Sequence, residues 1–166
     1  MKILSNSPKE TQKIASDLAH KIIKTKKGAV IALEGELGAG KTTFIQGFAK
    51  ALGIRSKIKS PTFVLMKKYP LSQNIKREVL KKAFAQNRTF KASMAQNKFL
   101  YHLDCYRVRD YKDLRVLELK EIFKASHNIV IIEWAERVRE ILPKKHITVH
   151  IDHISENTRK LLITNF

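Results

Sequence analysis

The side chains with chemistry to offer are few and widely spaced: an ammonium at Lys41, hydroxyls at Thr42, Thr43 and Thr62, and carboxylates at Asp104 and Glu133. Lys41 and Thr42 close the run Gly35-Glu36-Leu37-Gly38-Ala39-Gly40-Lys41-Thr42, which has the GxxxxGK(S/T) spacing of a phosphate-binding loop. In such a loop successive backbone N–H groups point inward at the β- and γ-phosphates, and glycines are needed because side chains would block so close an approach. The lysine reaches the terminal phosphates and the threonine hydroxyl ligates Mg²⁺. Glu36, Leu37, Gly38, Ala39, Gly40, Lys41, Thr42 and Thr43 are therefore the candidate contacts to a nucleoside triphosphate.

In open parallel sheets ligands gather outside the carboxyl ends of the strands, so acids and hydroxyls at those ends belong to the same reading. Glu133 ends the apolar run Ile129-Val130-Ile131-Ile132 as a Walker-B acid does, placed to hold Mg²⁺ directly or through water. Asp104 ends Tyr101-His102-Leu103-Asp104, suited to the same metal shell or to orienting the attacking water. Thr62 follows Ser60-Pro61 in a loop of the kind that senses a γ-phosphate. Lys41 supplies positive charge to the transferring phosphoryl group. The candidate catalytic residues are thus Lys41, Thr62, Asp104 and Glu133, with Thr42 and Glu133 as the metal ligands. His102 reads as a hydrogen-bonded structural residue, because phosphoryl transfer depends on positioning and electrostatics more than on a base. Trp134 reads either as core or as a packing partner of the nucleotide.

The elements that position these groups follow from local pattern. Ser7-Pro8-Lys9-Glu10 is a capping box with proline at the first helical position, and Ile14, Leu18 and Ile22 continue at helical spacing to about Lys26. Ala29 to Glu34 is a buried parallel strand entering the loop. A second helix starts near Lys41, carries Phe44, Phe48 and Leu52 on one side, and stops at Gly53. Strands are expected at Phe63–Met66, Phe99–Tyr106 and Asn128–Glu133. Between the last two, Asp110 or Asp113 caps a helix bearing Leu114, Leu117 and Ile122. A short helix through Val138, Ile141 and Leu142 ends at Pro143, and His146–Ile151 pairs with Lys160–Thr164 as an antiparallel hairpin. The fold class is α/β: a three-layer sandwich like that of P-loop NTPases, with a mostly parallel central sheet and a C-terminal antiparallel hairpin.

A chain of 166 residues fits one domain, 1–166. No run of about 18 apolar residues marks a membrane span, and the start MKILSNSPKE has no apolar signal-peptide core, so a cytoplasmic protein without a membrane partner is expected. The lone Cys105 has no ligand spacing around it and reads as a small apolar residue. Thirty-three Lys and Arg against fifteen Asp and Glu give +18, which makes polyanions such as tRNA expected company. Nine of those basic residues, against the single acid Glu78, fall between Lys67 and Lys98. That stretch reads as a basic, partly helical insertion at about 67–98, with Ile75, Val79, Leu80, Ala83 and Phe84 on one side and Lys76, Arg77, Lys81 and Lys82 towards the other.

Taken together, GELGAGKTTF, SPTF, HLDCYR and IIEWAE, in this order over nearly the whole length, resemble the TsaE (YjeE) family of small P-loop ATPases. The resemblance implies an ATP hydrolase, weak in isolation, that uses ATP and Mg²⁺ to support formation of threonylcarbamoyladenosine beside the anticodon of tRNA. It implies TsaD and TsaB as partners, with tRNA met through that assembly or through the basic insertion. It also places Thr11 and Arg159 where the family has nucleotide contacts, and matches Thr62 to a switch-like threonine. Two departures stand out: the 67–98 segment is longer than the family's usual connection, and Leu119 stands where the family pattern has glycine. A small-molecule phosphotransferase, or an RNA-binding module regulated by nucleotide, are the alternatives that the residues alone leave open.

Overall fold

The apolar runs Ala29–Glu34 and Ile129–Glu133 are continuous, not alternating, because both faces of the strands they form are covered. A computed structural model describes residues 1–25, 27–71 and 99–165. The elements are β1 (Lys2–Ser5), α1 (Pro8–Thr25), β2 (Ala29–Glu34), α2 (Lys41–Ala51), β3 (Met66–Pro70), β4 (Phe99–Asp104), α3 (Leu119–Lys124), β5 (Ile129–Glu133), β6 (Ile147–His153) and β7 (Arg159–Thr164). Two 3₁₀ segments, Tyr111–Leu117 and Ala135–Ile141, precede α3 and follow β5.

The seven strands form one sheet in the order β1-β7-β6-β2-β5-β4-β3. Its centre, β6-β2-β5-β4, is parallel, while β3 and the β6-β7-β1 flank pair antiparallel. Because successive side chains alternate across a strand, Ile31, Leu33, Ile129 and Ile131 enter one core with α1 and α2. Val30, Ala32, Val130 and Ile132 enter a second core with Leu114, Leu119 and Val138 on the other face. The three-layer α/β architecture is therefore observed.

The first helix starts as its sequence dictates. Ser7 Oγ accepts from the Glu10 backbone N–H at 3.2 Å, and the Glu10 carboxylate reaches back to the Asn6 N–H at 2.6 Å. Gly47 lets this helix lie close against α2, since a Cβ there would overlap the backbone of Gln12.

Four expectations are corrected. The FVLM run is not a strand: Val64 N–H bonds Pro61 O at 2.8 Å, Leu65 takes φ 59°, and pairing with β4 begins only at Met66. Phe63 is 83% exposed, so its apolar character does not report burial. Lys67–Pro70, assigned to the insertion, lie within β3. The helix expected after Asp110 is split in two. Asp110 does cap its start, accepting from Lys112 N–H at 2.8 Å, but Glu118 takes the left-handed conformation (φ 47°) between the two pieces. The five-residue step from Leu117 to Ile122 breaks helical period, and the kink restores the phase. Glu118, not Leu119, is thus the position that glycine would ease. Finally, β1 was not anticipated; it lies at the edge of the sheet, paired with β7. The helix expected around Ile75–Phe84 lies outside the described residues.

Candidate active site

The phosphate-binding loop runs from the end of β2 into α2. Gly40, with φ 101°, turns the chain so that the helix begins at once with Lys41, and no side chain caps the helix N-terminus. The first intrahelical bond formed there is Phe44 N–H to Gly40 O at 2.9 Å, so the N–H groups of Lys41, Thr42 and Thr43 remain free of helical partners. Together with the partial positive charge of the helix end, this is an anion site. Glu36, Leu37 and Gly38 are exposed at the tip and Ala39 is buried beneath them.

Lys41 is buried, and burial lowers its pKa against the opposing pull of Glu133, Glu136, Asp104 and Glu36. Its Nζ donates to Gly35 O at 2.6 Å and Glu36 O at 3.0 Å and lies 3.7 Å from the centre of the Trp134 ring. Trp134 holds that ring in place from a left-handed backbone (φ 59°), an unusual conformation for a bulky residue, and also packs on Tyr106 at 5.0 Å. The ammonium in this state is occupied by carbonyls and an aromatic face, all of which phosphate oxygens would outcompete in charge.

The acids come from strand register. Asp104 of β4 pairs with Glu133 of β5, on the face that meets α2, and His102 pairs with Ile131 one step deeper on the same face. Glu133, 3% exposed, receives Thr42 Oγ1 on Oε2 at 3.4 Å and His102 Nε2 on Oε1 at 2.8 Å. Asp104 is satisfied by three donors: Oδ2 accepts from Ser60 Oγ and from Thr62 Oγ1 at 2.6 Å, and Oδ1 from the Tyr106 N–H at 2.9 Å. The Ser60 and Thr62 hydroxyls also lie 2.6 Å apart, so their two protons are shared between this contact and the two to Asp104. Asp104 thereby anchors the 60–65 loop, a role its position at a strand end did not reveal. Ser60 is a further site residue that the sequence reading passed over, as is Glu136, whose Oε2 is buried without a partner among the described residues and whose charge acts on Lys41. Cys105 is buried, and desolvation, then Asp104 and Glu136, push its thiol up to about 12, so it is an inert apolar residue as expected.

Beside the loop a small, open cleft is lined by Pro8, Thr11, Gly40, Thr43, Asn157 and Arg159, among others. Thr11 is buried with its hydroxyl 2.8 Å from Ser5 Oγ. Arg159 Nε donates to Ala39 O at 3.0 Å, and its Nη1 donates to Ser155 O at 2.8 Å, tying the β6–β7 turn to the loop. The structure thus brings Lys41, Thr42, Thr62, Asp104 and Glu133 to one end of the sheet, with Thr11, Thr43 and Arg159 in the adjoining cleft.

The donor set suits magnesium carried by a nucleotide. Among the described residues no three His, Cys, Asp or Glu side chains form a cage for a metal. What is present, a hydroxyl and a carboxylate with a second carboxylate alongside, is the hard-oxygen set of a Mg²⁺ site that relies on phosphates and water for its remaining ligands.

Comparison with known proteins supplies the family. The family profile described as threonylcarbamoyl adenosine biosynthesis protein TsaE matches residues 5–161. The chain belongs to the TsaE family. Relatives named tRNA threonylcarbamoyladenosine biosynthesis protein TsaE include one from Bacillus subtilis, 34% identical over 95% of this chain and 81% of its own length. Another, from Nostoc, is 37% identical over 84% of this chain and 72% of its own. The crystal structure of YdiB from Bacillus subtilis superposes with a TM-score of 0.65 at 30% identity, covering 97% of this chain and 82% of that one. A relative of the same name from Treponema pallidum is 27% identical over 98% of this chain and 99% of its own length.

Proposed function

We propose that this chain is an ATPase that supports formation of threonylcarbamoyladenosine in tRNA, acting in the cytoplasm as a single P-loop domain beside TsaD and TsaB. The observation that carries this reading is the convergence on the uncapped N-terminus of α2: the Thr42 hydroxyl faces Glu133, and Asp104 stands next to Glu133 in register.

The free N–H groups at the start of α2 and the Lys41 ammonium bind the β- and γ-phosphates, while Thr11, Thr43 and Arg159 line the cleft that takes the rest of the nucleotide. Thr42 and Glu133 hold Mg²⁺, which supplies positive charge against the phosphate oxygens. Binding draws Lys41 away from Gly35 O, Glu36 O and the Trp134 face. Asp104 keeps Thr62 in place, and the Thr62 hydroxyl orients the water that attacks the γ-phosphorus; the bond to the β–γ bridging oxygen breaks and ADP leaves.

Partner dependence is supported by the rim of the site. Leu37, Phe63 and Val64 are exposed on the two loops that frame it, with Arg107 4.3 Å above the Phe63 ring. Exposed apolar residues on neighbouring loops are a surface that a docking partner would cover. Among the described residues no helix is long and apolar enough to cross a membrane.

The test is ATP turnover by the purified chain, alone and with TsaB, TsaD and tRNA. Slow turnover alone and stimulation by the complex are expected. Absence of stimulation would remove the coupling to tRNA modification and leave an ATPase of unassigned purpose.

A further inference from the structure

His102 is fully buried on the same face as Glu133 and is not needed as a base. Its one described partner is the Glu133 carboxylate, at 2.8 Å from Nε2. An ionised carboxylate only accepts, so Nε2 carries a proton; Nδ1 is buried with no partner among the described residues.

Resting on the ATP–Mg²⁺ reading above, we infer that His102 is a positioning residue for Glu133: its Nε2–H fixes the inner oxygen, Oε1, and so keeps Oε2 turned towards Thr42. The geometry follows from the sheet. Glu133 is the last residue of β5, with no following strand residue to confine its side chain, and its two oxygens have different surroundings. Oε2 faces Thr42 Oγ1 at 3.4 Å, a weak contact that cannot set the carboxylate's rotation alone. Oε1 points into the sheet, where among the described residues only His102 donates to it. Because His102 pairs with Ile131 across the parallel β4–β5 ladder, its imidazole comes from below, diagonal to Glu133, while Asp104 occupies the level position. The ring is rigid and fills a buried site, so it holds the carboxylate without the entropy cost of a flexible donor.

Two measurements on the full chain test this. Calorimetric titration with ATP, in the presence of Mg²⁺ and in its absence, is made on wild type, His102→Leu and His102→Gln. Leucine fills the space and donates nothing, and should weaken the Mg²⁺-dependent part of the affinity by about tenfold while leaving Mg²⁺-free binding unchanged. Glutamine supplies an N–H donor and should restore most of that loss. Equal losses in both variants, or none in His102→Leu, would overturn the inference. Imidazole nitrogen NMR of the protein without nucleotide should show the Nε2–H tautomer of His102; the Nδ1–H tautomer would overturn it even if His102→Leu fails to fold. A wild type that binds no ATP would strike the proposed activity instead, with the NMR spectrum still deciding the His102–Glu133 contact.

Discussion

Two groups of carboxylates and histidines close the same end of the sheet, on opposite faces. On the α2 face Asp104 and Glu133 are register neighbours, with His102 below and Lys41 nearby. On the other face Glu34 of β2 and His150 of β6 are register neighbours, and a chain of polar contacts runs Arg139–Glu34–His150–Asp152–Lys160 at 2.7 to 3.5 Å. The residue types match, yet the first group is almost wholly buried and the second reaches solvent, from Glu34 at 15% exposed to Arg139 at 67%. Burial decides what such a cluster is for. Solvated pairs are screened and contribute about 0–1 kcal/mol each. Buried charges are costly unless paired, so the ATP and Mg²⁺ proposed above would complete the set formed by Lys41, Asp104, Glu133 and His102.

Substitutions should separate the two faces sharply. Lys41→Ala should have the largest effect, lowering ATP hydrolysis by about 10²- to 10³-fold in a turnover assay, because it removes the charge nearest the transferring phosphoryl group. Glu133→Gln keeps the shape and the His102 contact but loses the anionic ligand. Its turnover should fall about 10- to 100-fold, and the Mg²⁺ concentration needed for half-maximal activity should rise. Thr62→Ala should cost about tenfold in kcat with little change in ATP affinity, since it disturbs the loop on Asp104 and not the phosphate cradle. On the solvated face, His150→Ala should leave turnover unchanged and move unfolding stability, measured in urea, by no more than about 1 kcal/mol. An effect of His150→Ala as large as that of Glu133→Gln would abolish the distinction drawn from burial.

The pH dependence distinguishes the faces too. Lys160's hydrogen bond, with a smaller one from His150, holds the Asp152 carboxyl below its ordinary value. A carboxyl depressed in the folded state stabilises above its unfolded pKa, about 3.9, and loses that contribution as pH falls through the folded value. Acid unfolding of Asp152→Asn should therefore show a slightly shallower loss of stability below about pH 4 than wild type. The effect is the smallest expected, and ATP binding at neutral pH should be unaltered.

How much of this was legible in the sequence differs between the two kinds of information involved. Lys41, Thr42, Asp104 and Glu133 were readable because each sits in a local pattern: a glycine-spaced loop, or an acid terminating an apolar strand. The strands β2 and β5 were readable to within a residue for the same reason. The His102–Glu133 contact was not, because it exists only through the register of two strands whose residues lie 31 positions apart. The role of Asp104 as anchor of Ser60 and Thr62 was hidden likewise, across 42 to 44 positions. The FVLM run misled because an exposed loop used apolar residues, which a periodicity argument takes for burial. The four residues of β1 carry too little pattern to announce a strand, and only the free edge of β7 makes one of them.

The most direct test of the buried cluster as an ATP–Mg²⁺ site is calorimetric titration of ATP into wild type and Lys41→Ala, each with Mg²⁺ and without. Saturable binding of one ATP per chain, strengthened by Mg²⁺ in the wild type and lost in Lys41→Ala, is the expected result. Binding that Lys41→Ala leaves intact, or no binding to the wild type, would contradict it.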